Sequence, residues 1–170
     1  MKLASFEAIV EVLNCAEVRY LVVGGLAVNA HGYLRVTNDV DLVVRLELTD
    51  VRATFSALAG IGYFPAVPVT ADQFADPEMR ESWCRDEGML VLKFWSDFHR
   101  ETPVDVFVYE PSDFELEYSR AMIGVGPDDP PARFVGIPAL IEMKRVAGRD
   151  RDRTDIEMLR RIDEQSCRDA

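Results

Sequence analysis

Cysteine and histidine are scarce in this sequence of 170 residues, which contains three Cys and two His. The cysteines at 15, 84 and 167 are odd in number and widely spaced, which argues against a disulfide framework and favours a reducing compartment. No Cys/His cluster has zinc spacing. No apolar run approaches the roughly 20 residues of a membrane span, and the amphipathic N-terminus lacks a signal-peptide pattern. These absences predict a cytoplasmic protein with no membrane partner.

Basic residues are also fewer than acidic residues. The chain has 19 Lys and Arg against 30 Asp and Glu, which gives a formal net charge of −11. General DNA or RNA binding depends on the neutralisation of phosphates, so this balance excludes a general nucleic-acid coat. A nucleotide, or an RNA end at a local basic patch, remains compatible with it. The apolar share of 48% is typical of a globular protein, and the length favours a single domain over residues 1–170.

The hydrophobic periodicity predicts alternating helices and strands. Helices are expected at 3–16, 26–30, 51–59, 112–122, 138–147 and 152–165, and strands at 20–23, 39–45, 89–95, 103–109 and 133–135. The strands at 89–95 and 103–109 are close enough to form a hairpin. Three prolines make 63–82 look irregular, and 124–131 looks like a turn-rich loop. This order predicts an α/β (α+β) domain with a small mixed sheet flanked by helices, a core at about 18–110 and a C-terminal helical pair at about 137–165.

Two acids lie at alternate positions of a predicted strand, in the run Asp39-Val40-Asp41. Side chains at i and i+2 of a strand point to the same side, so the carboxylates repel each other unless water, a basic partner or a cation compensates. The apolar residues that follow favour a buried strand whose first end opens into a cleft. A hard divalent cation suits such a pair, and a solvated strand end is the alternative.

A third acid, Asp105, stands alone in the apolar strand at 103–109, where it needs a partner. A salt bridge to Lys93 or to an arginine would supply one. If this strand instead lies beside the strand of Asp39 and Asp41, three carboxylates converge. Such a trio holding one or two Mg²⁺ (or Mn²⁺) ions is the arrangement of two-metal phosphoryl chemistry.

Gly24-Gly25 follows a predicted strand and opens a helix. Such a turn lets backbone N–H groups approach a phosphate closely, although a Gly pair also marks ordinary tight turns. The run VVGGLAVNAHGYLRVTNDVDLVV resembles the signature of the nucleotidyltransferase fold superfamily, with Asp105 in the place of its third acid. The stretch GIPALIEMKRVAGRDRDRTDIEMLRR and the lead-in at 35–39 resemble minimal bacterial nucleotidyltransferases of the abortive-infection (AbiEii-like) type.

The resemblance implies a nucleotidyltransferase fold with definite residue roles. Asp39, Asp41 and Asp105 would be catalytic metal ligands, and Gly24 and Gly25 would hold the triphosphate of ATP or another nucleoside triphosphate. Four further residues are candidate phosphate or nucleoside contacts, each with an ordinary alternative. Arg35 and Thr37 are otherwise solvated loop residues, Lys93 balances the acids or faces water, and Lys144 is a surface lysine.

The first functional hypothesis is a Mg²⁺-dependent nucleotidyltransferase that moves a nucleoside monophosphate to an acceptor hydroxyl of tRNA, a protein or a small molecule, within a toxin–antitoxin or abortive-infection system. The second is a catalytically weak or inactive binding module that partners a cognate toxin or antitoxin. It is motivated by Gly25, where many active members have Ser, and by the absence of a larger C-terminal domain. The third is an α+β domain whose acids are structural.

Overall fold

The computed structural model describes residues 1–124 and 130–166. These residues form eight α-helices and one π-helical turn, at Trp83–Glu87. The helices are α1 Leu3–Cys15, α2 Gly24–Ala30, α3 Leu48–Gly60, α4 Ala71–Ala75, α5 Pro77–Ser82, α6 Phe114–Arg120, α7 Ile137–Ala147 and α8 Asp150–Ser166. The strands are β1 Tyr20–Val22, β2 Val40–Val44, β3 Tyr63–Pro65, β4 Val91–Ser96, β5 Val104–Phe107, β6 Met122–Gly124 and β7 Ala132–Phe134.

The strands form one mixed sheet in the order β3-β4-β5-β2-β1-β7-β6. β2 is parallel to β5 and β1 is parallel to β7, while the other neighbouring strands are antiparallel. The predicted mixed sheet flanked by helices, the hairpin of β4 and β5 and the C-terminal helical pair are confirmed. The central position of β2 and β5 fixes the site, because both strands carry acids and they lie side by side.

The two faces of the sheet differ in their covering. One face packs against helices, where Phe55 of α3 contacts Phe94 of β4 edge to face, with ring centroids 5.0 Å apart. β4 alternates accordingly: Leu92 and Phe94 are buried, whereas Lys93 and Trp95 point to the other face and are exposed. Asp41 and Asp105 share that second face, so the acids lie on the more open side of the sheet.

The prediction of irregular structure at 63–82 is wrong. The segment contains β3 and two short helices, and Phe74 of α4 is fully buried. Thr70 and Gln73 form a capping box at the start of α4, and Asp76 caps α5 with Pro77 in its first turn. Pro77 therefore starts a helix, while Pro65 ends β3 and Pro68 lies in the loop that follows. Most of the predicted loop at 124–131 lies outside the described residues.

Element ends differ in smaller ways. α6 ends at Arg120 and is followed by the unpredicted strand β6, which pairs with β7. Asp39 lies just before β2 instead of inside it. No helix within the described ranges is long and apolar enough to cross a membrane.

Candidate active site

Three carboxylates meet on the open face of the sheet. Asp39, Asp41 and Asp105 each place a carboxylate oxygen within 4.8 Å of the other two. The strand pairing explains this, because Asp41 and Asp105 are direct partners across the parallel strands β2 and β5. Asp39 lies two residues before Asp41, so it faces the same side. The structure thus brings together the trio that the sequence pattern singled out.

The acids are poorly compensated by protein groups. Burial, followed by the charges of Asp39 and Asp105, raises the pKa of Asp41 to about 6, and the positive charge of Arg149 and the Gly25 N–H oppose this rise. Burial also raises the pKa of Asp105, which the neighbouring Lys93 lowers in part. A cluster that resists ionisation needs an additional positive charge to hold all three carboxylates as anions.

Asp105 has a buried oxygen that such a positive charge would neutralise. Its residue is 8% exposed, and its buried Oδ1 has no hydrogen-bond partner among the described residues. Lys93 Nζ lies 3.5 Å from Oδ1, a loose ion pair at the limit of hydrogen-bond length. The alternative of a salt bridge from Asp105 to Lys93 is therefore present in weak form. An oxygen-only donor set with an orphaned buried oxygen fits a hard divalent cation.

Gly24 and Gly25 lie against the acids. Gly24 has a φ of +63°, and a side chain on it would collide with the carboxylate of Asp41. The Gly25 N–H lies close enough to Asp41 to lower the pKa of its carboxyl in part. A Cβ on Gly25 would lie 2.5 Å from Thr37 Oγ1, so Thr37 fills the space that a larger residue would take. At both positions a side chain would collide with a neighbouring residue, so glycine is needed for space as well as for the turn.

Arg35 and Thr37 are not solvated loop residues. Thr37 Oγ1 donates a hydrogen bond of 3.1 Å to Asp39 Oδ1. The Arg35 side chain is 17% exposed, and its Nε lies 3.0 Å from Asp155 Oδ1 of α8. The segment that leads into β2 is thus tied to the triad at one point and to the last helix at another.

Lys144 is buried, with 5% exposure, so the alternative of a surface lysine is wrong. Its Nζ lies 2.6 Å from Asp155 Oδ2 and 3.3 Å from Asp152 Oδ1. Both carboxylates are buried as well, although the α8 sequence looked like a solvated, salt-bridged face. The ammonium group is engaged by these two acids, and a contact with phosphate stays a prediction.

Arg149 is a site residue that the sequence reasoning missed. It lies in the turn between α7 and α8, and its positive charge lowers the pKa of both Asp41 and Asp105. Its backbone N–H donates a 3.1 Å hydrogen bond to Asp152 Oδ2. The available signal was Gly148, whose left-handed conformation ends α7 and turns the chain. The sequence showed the turn but not that Arg149 in it lies near Asp41 and Asp105.

No family model matches the chain, and no curated protein matches it by sequence. Solved structures do match it. The lincosamide antibiotic adenylyltransferase LnuA, in a lincomycin-bound crystal structure, aligns with a TM-score of 0.60 and 14% identity over 95% of this chain and 98% of that one. The antibiotic-resistance factor ANT(2'')-Ia aligns with a TM-score of 0.54 and 11% identity over 92% and 83%. The chain therefore has the nucleotidyltransferase fold; the abortive-infection branch stays a prediction.

Proposed function

We propose that this protein is a Mg²⁺-dependent nucleotidyltransferase that moves a nucleoside monophosphate, with ATP as the first candidate donor, to a hydroxyl group of a small molecule. The observation that carries the proposal is the meeting of Asp39, Asp41 and Asp105, with oxygens within 4.8 Å of one another, on a sheet with this fold. LnuA, one of the structures that this chain resembles, is a lincosamide antibiotic adenylyltransferase, which supports a small-molecule acceptor.

The residues divide the work according to their positions. Asp39, Asp41 and Asp105 would hold the metal, which when bound supplies positive charge to the triphosphate and to the attacking oxygen. The Gly24-Gly25 turn offers an approach for phosphate beside them. Arg149 adds positive charge near Asp41 and Asp105, which would help to balance the charge of the leaving pyrophosphate.

The transfer itself is balanced as follows. The acceptor oxygen bonds to the α-phosphorus, the bond from that phosphorus to the bridging oxygen breaks, and pyrophosphate leaves with the electron pair. The acceptor proton would go to the Asp105 carboxylate, whose raised pKa suits a general base.

The net charge bears on the acceptor. At −11, the protein repels a polyanion such as tRNA, whereas a small molecule meets little long-range repulsion. A tRNA acceptor and a place in a toxin–antitoxin pair stay predictions. The inactive-module alternative rested on Gly25 in place of Ser. Thr37 Oγ1 lies 2.5 Å from the place that a Cβ at position 25 would take, so a hydroxyl group is present close to that position.

The test combines binding with turnover. Mg²⁺ and each nucleoside triphosphate are titrated while the melting temperature is followed, and pyrophosphate release is then measured with lincomycin as the first acceptor. A ligand at 100 times its dissociation constant stabilises the folded state by about 2.7 kcal/mol. The D39N/D41N double variant should lose the metal-dependent shift, whereas D97N, at an exposed ion pair, should keep it.

Two outcomes decide against the proposal. The absence of any shift with Mg²⁺ and every nucleoside triphosphate rejects nucleotide binding itself. A shift that persists in D39N/D41N, without pyrophosphate release by the wild type, assigns the chain to the inactive-module alternative.

A further inference from the structure

The triad belongs to a row of side chains that continues across the sheet. Asp41 pairs with Asp105, and Asp105 pairs with Lys93. The backbone N–H of Ala66 donates a hydrogen bond to the Lys93 carbonyl oxygen, so the pairing with β4 continues one residue past the end of β3. Neighbouring strands lie about 4.8 Å apart, so the row leads from the acids to the β3 edge in three steps. The same face of the sheet therefore extends from the triad to this edge.

Two aromatic side chains lie on that face beside the row. Trp95 follows Lys93 by two residues, so it points to the same side, and Phe64 is its direct cross-strand partner. Since Lys93 is paired with Asp105, Trp95 is a diagonal neighbour of Asp105, with Cα atoms about 7–8 Å apart. Trp95 is 45% exposed and Phe64 58% exposed, although aromatic side chains gain most from burial.

Because of the strand order, different kinds of residue flank the triad on its two sides. The Gly24-Gly25 turn follows β1, on one side of β2 and β5, whereas Phe64 and Trp95 lie on β3 and β4, on the other side. Arg35 and Thr37 are also on the glycine side, since both side chains lie against Gly25. Polar groups and close-approach backbone suit the triphosphate, and the exposed rings suit a molecule with apolar surface.

The charge of this region limits that molecule further. Three acids lie at one end of the row, Lys93 is its cation, and the whole protein carries a net charge of −11. An anionic compound is repelled, while a neutral or cationic one is tolerated or attracted. Aromatic faces bind flat apolar rings by stacking and cations through the ring quadrupole.

We propose that Trp95 and Phe64 form the acceptor platform of the active site, on which a neutral or cationic small molecule with a flat apolar ring stacks so that its hydroxyl reaches the side of Asp105. This inference rests on the proposed function and adds the chemical class of the acceptor. The pair thereby serves specificity, and neither ring takes part in bond making.

The test uses phenyl β-D-glucopyranoside as a neutral probe that joins a flat ring to hydroxyl groups. Its binding is measured by saturation-transfer NMR with Mg²⁺ and a non-hydrolysable ATP analogue present. Methyl β-D-glucopyranoside lacks the ring, and phenyl phosphate replaces the hydroxyl part by an anion. The wild type should bind the phenyl glucoside at least about tenfold more tightly than either comparison compound, as expected for aromatic stacking.

Variants assign that binding to the platform. W95A and F64A should each weaken binding of the phenyl glucoside about tenfold, and W95F should retain most of it. I123A is the matched control, since Ile123 is 50% exposed on β6, at the opposite edge of the same sheet. The melting shift with nucleotide should be unchanged in all four variants, because the nucleotide side of the triad is untouched.

The outcomes separate this inference from the proposed function. Equal binding of the phenyl glucoside by the wild type, W95A and F64A, or no binding to a wild type that shows the nucleotide shift, overturns the platform alone. Phenyl phosphate binding as tightly as the glucoside overturns the stated acceptor class. Sedimentation that shows a wild-type dimer and an F64A monomer assigns the aromatic pair to self-association instead. Loss of the nucleotide shift in the wild type rejects the proposed function, whatever the probe does.

Discussion

The Asp41 carboxylate lies in the space that a side chain on Gly24 would occupy. Gly24 also has a φ of +63°, a conformation that L side chains rarely adopt. The glycine turn and the acid strand are thus fitted to each other: the turn passes so close to the triad that only hydrogen fits between them. This contact holds Asp41 in position toward Asp39 and Asp105.

The first prediction concerns G24A. The substitution should destabilise the protein by about 3 kcal/mol or more, since the strain of a left-handed alanine adds to a collision with Asp41. Gly88 offers a matched control, with a φ of +65° and open space around its Cα. G88A should therefore cost only about 1 kcal/mol. Urea unfolding of both variants measures the difference, and equal losses would mean that the contact with Asp41 has no cost.

The second prediction is a pH dependence of the metal-free protein. The pKa of Asp41 is about 6 in the folded chain against 3.8 as the ordinary value. The folded state therefore binds more protons between these values, and this contribution to stability is lost as pH rises from about 4 to about 6. The loss is on the order of 2 kcal/mol. It is measured as the difference between wild type and D41N in EDTA, by urea unfolding at both ends of the range.

D41N cannot titrate, so it should gain stability relative to the wild type as pH rises. Carboxylates outside the triad contribute equally to both proteins and cancel in the difference. D97N, at an exposed position, should follow the wild type across the range. A constant difference between D41N and wild type would show that the Asp41 carboxyl is not perturbed in the folded chain.

The third prediction links the metal to the same group. Mg²⁺ requires the ionised carboxylate, so its affinity should rise as pH increases through about 6 and level off above that value. Calorimetric titrations across this range, in buffers of different ionisation enthalpy, should also detect proton release on binding below the plateau. Affinity that is flat with pH would place the ion away from Asp41.

The fourth prediction concerns the buried cluster of Lys144, Asp152 and Asp155. K144M should destabilise the protein by about 3–5 kcal/mol, because it leaves buried carboxylates without their ammonium partner. K2M removes a lysine whose ion pair with Glu101 is exposed, so it should have little effect. Thermal unfolding of the two variants compares them, and similar melting temperatures would contradict the importance of the cluster.

Local patterns were sufficient to single out the three acids of the triad. The alternation of Asp39 and Asp41 fixes their common side, and the isolated Asp105 in an apolar strand marks an unusual position. Their convergence needed one non-local fact, the adjacency of β2 and β5, which no local pattern specifies. The sequence therefore predicted that the acids converge only if the two strands are neighbours, and the structure shows that they are.

The parts that the sequence reasoning missed depend on contacts between distant segments. Asp152 and Asp155 stand in a helix rich in charges, which by pattern alone indicates a solvated face. Their burial depends on Lys144 and Arg35, which come from other elements. The position of Arg149 depends on how α7 and α8 pack, so the sequence showed only a helix break where the structure places a charge that lowers the pKa of Asp41 and Asp105. The helices at 71–82 were overlooked because prolines outweighed the cap residues.

One carboxylate, Asp155, is shared by Arg35 from the segment before β2 and by Lys144 from α7. The final helix α8 therefore supplies the counterion of Arg35 and Lys144 in addition to covering the core. Without α8, Arg35 beside Gly25 and Lys144 of α7 would lose this shared counterion and would attract phosphate and other anions. The acids of α8 thus keep these two cations from binding anions indiscriminately.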